Sequence, residues 1–162
     1  MIELRKIAFL DDTMHECIAL QLAPEREDFL WSNAVTLAIA HRRYKKFCAA
    51  MECRAIYADG VMVGLLSYHY NIDSPDFKET CYRLRTIMVD KTNAGKGYEE
   101  AALRLALAEI RTLPHGAAST IFAAYNPKDV DAAAWYAAVG FVPTDMKWNN
   151  PNDKNIIARL GL

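Results

Sequence analysis

A glycine-rich turn is the part of the sequence best suited to bind an anion. Residues 93–100 read Asn-Ala-Gly-Lys-Gly-Tyr-Glu-Glu, after the apolar Ile87, Met88 and Val89 and before a helical pattern. Glycine lets the backbone approach a ligand closely, and the free N–H groups and dipole of a following helix favour negative charge. The pattern indicates a phosphate-bearing cofactor. Gly-x-Gly also occurs in ordinary strand-to-helix turns. The turn in this chain matches neither the P-loop motif nor the dinucleotide-binding motif.

A tyrosine in the later half could donate a proton. Tyr136 lies seven residues after Asp129, two helical turns on, with the small Ala132 between them on the same face. A phenol that projects from this face toward the glycine turn could protonate a ligand bound there. The alternative is that Tyr136 packs in the core and that Gly140 only ends the helix.

Size and composition limit the class of protein. The chain of 162 residues suits a single domain, 1–162, and 52% hydrophobic with 24% charged residues is typical of a globular protein. A net charge of −1 argues against a general nucleic-acid or membrane-surface binder. The sequence shows neither a membrane-spanning apolar run nor the apolar core of a signal peptide, so a cytoplasmic location is expected.

The cysteines and histidines do not form a metal-binding pattern. Cys17, Cys48, Cys53 and Cys81 include no Cys-x-x-Cys pair, and the four histidines are scattered. We therefore expect reduced, mostly buried cysteines and neither a disulfide framework nor a zinc site.

Hydrophobic periodicity and turn residues predict one α/β domain with the order β-α-α-β-β-β-α-β-α-β-β. Strands are predicted at residues 2–10, 53–58, 61–70, 79–90 and 119–124, with two short strands near Phe141 and at 155–160. Helices are predicted at 14–22, about 27–45 and 95–113, and a fourth helix has Asn126 as its cap and Pro127 as its first residue. Asp59-Gly60 predicts a hairpin turn.

Both motifs, in this strand order, resemble the GNAT family of acetyl-coenzyme A-dependent N-acyltransferases over nearly the whole chain. That family carries Gln/Arg-Gly-x-Gly-x-Gly/Ala between its fourth strand and third helix, and Asn-x-x-Ala-x-x-x-Tyr followed by Gly-Phe near its end. The bacterial spermine/spermidine (polyamine) acetyltransferases look most similar. Their Met-Ile-Asp, three residues, then Gln-Gly-Lys-Gly-Tyr-Gly-Lys-Ala-Ala corresponds to residues 88–102 here. The resemblance implies an α/β (α+β) fold with a mixed sheet of about seven strands, splayed between strands 4 and 5, and about four helices.

The resemblance also implies a site and a reaction. Met88 and Val89 would offer backbone groups to the pantetheine of acetyl-CoA, and Tyr136 would protonate the departing thiolate. The other implied cofactor contacts are Ala94, Gly95, Lys96, Gly97, Tyr98, Glu99 and Asp129. The acetyl group would pass directly to a primary amine. The acceptor could be a polyamine, another small amine, an aminoglycoside or a protein amino group. No metal is implied, and family members are often homodimers.

Three residues depart from the family pattern: Ala94 replaces its Gln or Arg, Glu99 its small residue, and Asp129 its asparagine. A carboxylate at a helix N-terminus suits the helix dipole but competes with a pyrophosphate. These departures support an alternative, a non-catalytic or degenerate acyl-CoA-binding domain that acts through partner contact. A nucleotide-phosphate binder of another fold is a third hypothesis.

The residues that would bind the acceptor are less defined. Thr86 and Asn155 stand where the polyamine branch has an arginine and a glutamate, and Arg85 lies one position from the first of these. Because neighbouring side chains of a strand point to opposite faces, Arg85 would face away from the side that the arginine of the polyamine branch occupies. The base that takes the amine proton is not identified. The candidates are Asp90, Glu79, His69 and Tyr82.

Overall fold

The computed structural model describes residues 1–7, 11–46, 50–74, 76–147 and 153–162, and within 42–46 the backbone alone. Seven strands and four α-helices lie in these ranges. The strands are β1 (Ile2–Lys6), β2 (Ala50–Ala58), β3 (Val61–Asn71), β4 (Cys81–Val89), β5 (Thr120–Tyr125), β6 (Val142–Pro143) and β7 (Ile156–Gly161). The helices are α1 (Asp12–Ala19), α2 (Asn33–Lys46), α3 (Tyr98–Arg111) and α4 (Val130–Ala138), with short 3₁₀ turns at Pro24–Arg26 and Lys91–Asn93.

The strands form one mixed sheet in the order β1-β2-β3-β4-β5-β7-β6. Each neighbouring pair is antiparallel except β4 and β5, which are parallel and are joined by a crossover through α3. The hairpin between β2 and β3 turns at Asp59 and Gly60, whose φ angles of 49° and 84° are both positive, as a tight hairpin requires. The predicted α/β class, the order of helices and strands along the chain, and the hairpin are confirmed.

Helices cover both faces of the sheet. On one face α3 packs on β1 and β4 and α4 packs on β5. The α3 residues Ala102, Leu103, Ala106, Leu107 and Ile110 recur at helical spacing and are all buried. On the other face α1 and α2 contribute Cys17, Leu37 and Ala40 to a second buried cluster that includes Met88 of β4. None of the helices in the described ranges is long and apolar enough to cross a membrane.

The element boundaries differ from the predictions where a local cap decides them. α1 begins earlier than predicted because the side chain of Asp11 accepts the N–H of Met14. α2 begins at Asn33 rather than near residue 27, after the Ser32 hydroxyl accepts the N–H of Val35 at 3.4 Å. α3 begins at Tyr98 because Gly95 and Gly97, both with φ of 76°, cannot be helical.

The predicted cap of α4 is wrong. Asp129, not Asn126, caps the helix, and Pro127 lies in the preceding turn. Asn126 instead accepts the N–H of Lys128 at 2.9 Å, a local turn that delays the helix by one turn. Residues 8–10 of the predicted first strand and Cys48 lie outside the described residues, whereas Cys17, Cys53 and Cys81 are reduced and buried, as expected.

A partly buried charge network ties α3 to the sheet far from the glycine turn. Arg54 of β2 donates to Glu52 and to Glu109 of α3, and the hydroxyl of Tyr68 donates to Glu109 at 2.7 Å. Burial raises the pKa of Glu109, but the hydrogen bonds from Arg54 and Tyr68 outweigh it and leave the pKa below its ordinary value.

Candidate active site

The sheet opens between its two parallel strands. Within the described ranges β4 and β5 pair only at Tyr82 with Ile121 and at Arg83 with Phe122. Beyond that point the carboxyl ends of the strands diverge, and a cavity of about 240 Å³ lies in the opening. An opening of this kind leaves unpaired strand edges that can hydrogen bond to an extended ligand. The splay expected between strands 4 and 5 is confirmed.

In the described part of the chain, three walls and a rim enclose the cavity. The two parallel strands form the first wall, to which β4 contributes residues 83–87 and β5 contributes Ala124 and Tyr125. α4 and the turn before it contribute Asn126, Asp129, Ala132, Trp135 and Tyr136. The third wall comes from Arg26 and residues 29–31, which connect α1 to α2, and Asp153 and Asn155 close the rim just before β7.

The glycine turn presents free backbone donors at the start of α3. The carboxylate of Asp90 holds the turn by accepting the N–H groups of Gln21 at 2.8 Å and Thr92 at 2.9 Å. Gly95 and Gly97 then take left-handed backbone angles, which direct the chain into the helix. In the described part of the chain, the N–H groups of residues 95–98 donate to no protein acceptor. They form a ready anion site at a helix N-terminus.

Tyr136 is a protonated phenol inside the opening. It lines the cavity but is only 6% exposed, and its ring lies 5.6 Å from the ring of Tyr125 and 5.2 Å from that of Phe141. Burial raises its pKa well above the ordinary value, and Asp129 adds to the rise while Arg26 opposes it. The hydroxyl therefore carries its proton at neutral pH, which is the form that a general acid needs.

Asp129 keeps the position on the α4 face that the sequence predicts. Its side chain caps the helix by accepting the N–H of Ala132 at 3.1 Å, and it is 6% exposed. Ala132 is also buried, so α4 presents a small residue to the cavity between Asp129 and Tyr136.

Arg26 connects the two predicted motifs. Its guanidinium donates to Asp129 at 3.0 Å, lies 3.9 Å from the carboxylate of Glu99, and stacks 4.7 Å above the ring of Trp135. We call these four residues the Arg26 cluster. Glu99 is 4% exposed, and its carboxylate accepts its own backbone N–H. Burial raises the pKa of Glu99, while that hydrogen bond and the charge of Arg26 oppose the rise.

Sequence reasoning missed Arg26, although a signal was present. Both of its carboxylate partners, Glu99 and Asp129, replace uncharged residues of the two motifs. Two buried carboxylates that approach each other need a cation between them. The paired departures therefore pointed to a basic residue from elsewhere in the chain, but no local spacing identifies one that lies 103 positions from its partner.

The predicted site residues, which are the catalytic Tyr136 and the cofactor contacts, fall into two groups. Asp129 and Tyr136 line the cavity, whereas Met88, Val89 and residues 94–99 do not. Met88 and Val89 are buried in β4, next to the lining residue Ile87. Ala94, Gly95, Lys96 and Gly97 are exposed in the turn, and Tyr98 is partly buried. Glu99 joins the groups through Arg26, which contacts both Glu99 and Asp129.

The residues fit an acyl-CoA with one point of conflict. Free N–H groups at the turn suit a pyrophosphate, and the unpaired edge of β4 suits an amide-bearing arm. Glu99 opposes this fit, because its carboxylate takes one of the N–H groups in the first turn of α3 and adds negative charge there. Because the other donors belong to the backbone, the Ala94 departure leaves them in place.

None of the four proposed bases lines the cavity. Asp90 holds the glycine turn, Tyr82 donates to the carbonyl of Gly116 at 3.2 Å, and Glu79 accepts from Thr120 at 3.1 Å. His69 is 1% exposed. Asp153, which the sequence analysis did not single out, is at the rim of the cavity instead. Among the described residues, no group of three His, Cys, Asp or Glu side chains could hold a metal ion.

This architecture is the GNAT fold, and solved acetyltransferase structures match it along the whole chain. An aminoglycoside acetyltransferase in complex with coenzyme A has a TM-score of 0.75 at 13% identity, covering 99% of this chain and 95% of that chain. A spermidine N-acetyltransferase from Vibrio cholerae in complex with CoA and spermine has a TM-score of 0.68 at 13% identity, with the same coverage. The ribosomal-protein-S18-alanine N-acetyltransferase from Escherichia coli has a TM-score of 0.69 at 16% identity, covering 99% and 94%.

No protein-family model matches the chain, and no curated protein sequence matches it. The likeness to solved structures confirms the predicted fold. The three enzymes named act on different amines, so the polyamine enzymes are only one kind of structural neighbour.

Proposed function

We propose that the protein is an acetyl-CoA-dependent N-acetyltransferase that moves an acetyl group directly to a primary amine. One observation carries the proposal: a buried tyrosine lines the opening between β4 and β5, and the glycine turn before α3 offers free N–H groups. The structural neighbours include acetyltransferases with coenzyme A bound, which supports the same cosubstrate here.

The cosubstrate supplies a thioester, whose C–S bond is exchanged for a C–N bond with the amine. The N–H groups of residues 95–98 would hold the pyrophosphate, with Lys96 as a nearby cation. The backbone of Met88 and Val89 would align the pantetheine arm along β4. Asp129 and Ala132 would form the α4 wall that this arm passes.

Tyr136 would give its hydroxyl proton to the departing sulfur. The pKa of Tyr136 is raised by burial, so the phenol gives up this proton only as the sulfur becomes negative. The attacking neutral amine releases one proton as the C–N bond forms. Tyr136 regains one proton from solvent after the reaction, so the number of protons balances. Asp153 at the rim is a place where the amine proton could be accepted.

The first experiment measures binding. Acetyl-CoA at about a hundred times its Kd should stabilise the fold by about 2.7 kcal/mol, which for a domain of this size raises Tm by roughly 5–10 °C. ATP and NAD serve as controls, and a shift with either of these but none with acetyl-CoA would indicate a nucleotide-phosphate binder instead.

The second experiment measures thiol release from acetyl-CoA with a panel of amines that includes polyamines, aminoglycosides, amino acids and peptides. Amine-dependent thiol release would establish the activity. Tight acetyl-CoA binding without thiol release for any amine would favour the non-catalytic alternative. A homodimer and a cytoplasmic location remain part of the proposal.

A further inference from the structure

The β4 wall of the cavity is cationic. Arg83 and Arg85 both line it, two positions apart on one strand. The guanidinium of Arg83 lies 5.6 Å from the centre of the Phe77 ring, and that of Arg85 lies 5.8 Å from the centre of the Trp31 ring. On β4 the two arginines alternate with Tyr82 and Leu84, which belong to the buried cluster under α3, so Arg83 and Arg85 lie on the opposite face of the sheet.

The carboxylates of the lining do not reverse this charge. Asp129 is bound to Arg26 at 3.0 Å and caps α4, and Asp153 accepts the N–H of Asn155 at 2.9 Å. Among the described residues, the lining thus has three guanidinium groups and two carboxylates, and one of these carboxylates is bound to Arg26. A polyamine carries several ammonium groups and would need the opposite balance of charge.

Guanidinium groups select anions of a particular shape. Their planar donors bind a carboxylate or a phosphate through two parallel hydrogen bonds, and such charge-assisted bonds are stronger than neutral ones. Trp31, which is 56% exposed, extends an indole ring beside Arg85 and can cover the apolar part of a ligand.

We infer that the acceptor is a small amine that also carries an anionic group, bound by Arg83 and Arg85, and that it is not a polyamine. This inference rests on the proposed function and specifies its substrate class. A carboxylate, as in an amino acid, and a phosphate, as in an aminoalkyl phosphate, share this chemistry. Asp153 would face the ammonium end of the same molecule.

Matched ligands test the inference without acetyl-CoA. Ornithine and putrescine differ by one carboxylate, as do lysine and cadaverine, while phosphoethanolamine and ethanolamine differ by one phosphate. We expect the anionic member of at least one pair to raise the Tm and to bind at least about 10-fold more tightly in calorimetry. The pair that responds identifies the anion. Equal or tighter binding of putrescine and cadaverine would overturn the inference.

Variants locate the effect. Arg85→Gln should weaken the binding of the anionic ligand about 10-fold or more and should not weaken the binding of its counterpart that lacks the anion, and Arg85→Lys should recover part of the affinity. Arg104→Gln is the matched control, because Arg104 is exposed on α3 and paired with Glu100. An equal loss in both glutamine variants, or no loss in Arg85→Gln, would show that the arginines of β4 do not bind the acceptor.

Thiol release separates the two proposals. Acetylation of polyamines but of no anionic amine would retain the N-acetyltransferase function and reject the acceptor class. Selective binding of an anionic amine without a Tm shift from acetyl-CoA would retain the anion site and reject the acetyl transfer.

Discussion

Glu99 should weaken the binding of coenzyme A, and removing its charge should strengthen it. In Glu99→Gln the side chain keeps its size and its place beside Arg26, but the buried carboxylate is gone. The pKa of Glu99 is raised mainly by burial, so the folded protein already disfavours the charged form. Arg26 retains Asp129 at 3.0 Å, and the Arg26 cluster should therefore stay assembled in the variant.

The size of the effect follows from the place of Glu99 in the first turn of α3. An anion on the N–H groups of residues 95–98 lies within roughly 10 Å of that carboxylate, since one helical turn rises about 5.4 Å. At an effective dielectric constant of about 20, two unit charges about 10 Å apart repel by about 1.7 kcal/mol, and salt reduces this to about 1 kcal/mol. We expect the Kd for coenzyme A to fall about 5- to 10-fold.

Calorimetric titration of coenzyme A into the wild type, Glu99→Gln and Glu100→Gln measures the effect. Glu100 lies in the same helical turn but is half-exposed and paired with Arg104, so its removal makes the same change in net charge outside the Arg26 cluster. An unchanged or higher Kd in Glu99→Gln would refute the reasoning. An equal gain in Glu100→Gln would show a general charge effect and no specific role for Glu99.

Three other changes test the site and the fold. Tyr136→Phe should keep the Tm and the Kd for coenzyme A but lower turnover by about 10²-fold. Unchanged turnover would mean that another group protonates the thiolate. A large fall in Tm would mean that the hydroxyl is a structural hydrogen-bond donor. Gly64→Ala should lower the free energy of unfolding in urea by about 1–3 kcal/mol, because the added Cβ would overlap a carbonyl oxygen of β4. Gly161 has open space around it, so Gly161→Ala should change the free energy of unfolding by less than about 0.5 kcal/mol. Equal effects of the two changes would show that the overlap at Gly64 does not matter. In the folded protein the pKa of Glu109 is below its ordinary value, so the stability that Glu109 contributes is present above about pH 4.5 and is lost as the pH falls through the folded pKa. Glu109→Gln should therefore lose less stability than the wild type between pH 5 and pH 2, as measured by circular dichroism. Parallel acid-unfolding curves for the two proteins would exclude this role.

The secondary structure was predictable because its signals are local. The spacing of apolar residues in α3 and the Asp59-Gly60 turn are read from neighbouring positions, and both are confirmed. Errors arose where two local signals compete. Asn126 and Asp129 are both good N-caps, and only the observed turn at Asn126 decides in favour of Asp129.

The sequence by itself determined the elements, their order and the two motifs, since the glycine turn and the α4 face are each a few residues long. Tertiary structure decided what lies between them. The opening in the sheet exists because parallel strands joined by a crossover pair at only two positions before they diverge. Arg26 reaches Asp129 across 103 positions, and the aromatic rings beside Arg83 and Arg85 come from other segments. Charge and burial at the site depend on these distant contacts, which no periodicity along the chain records.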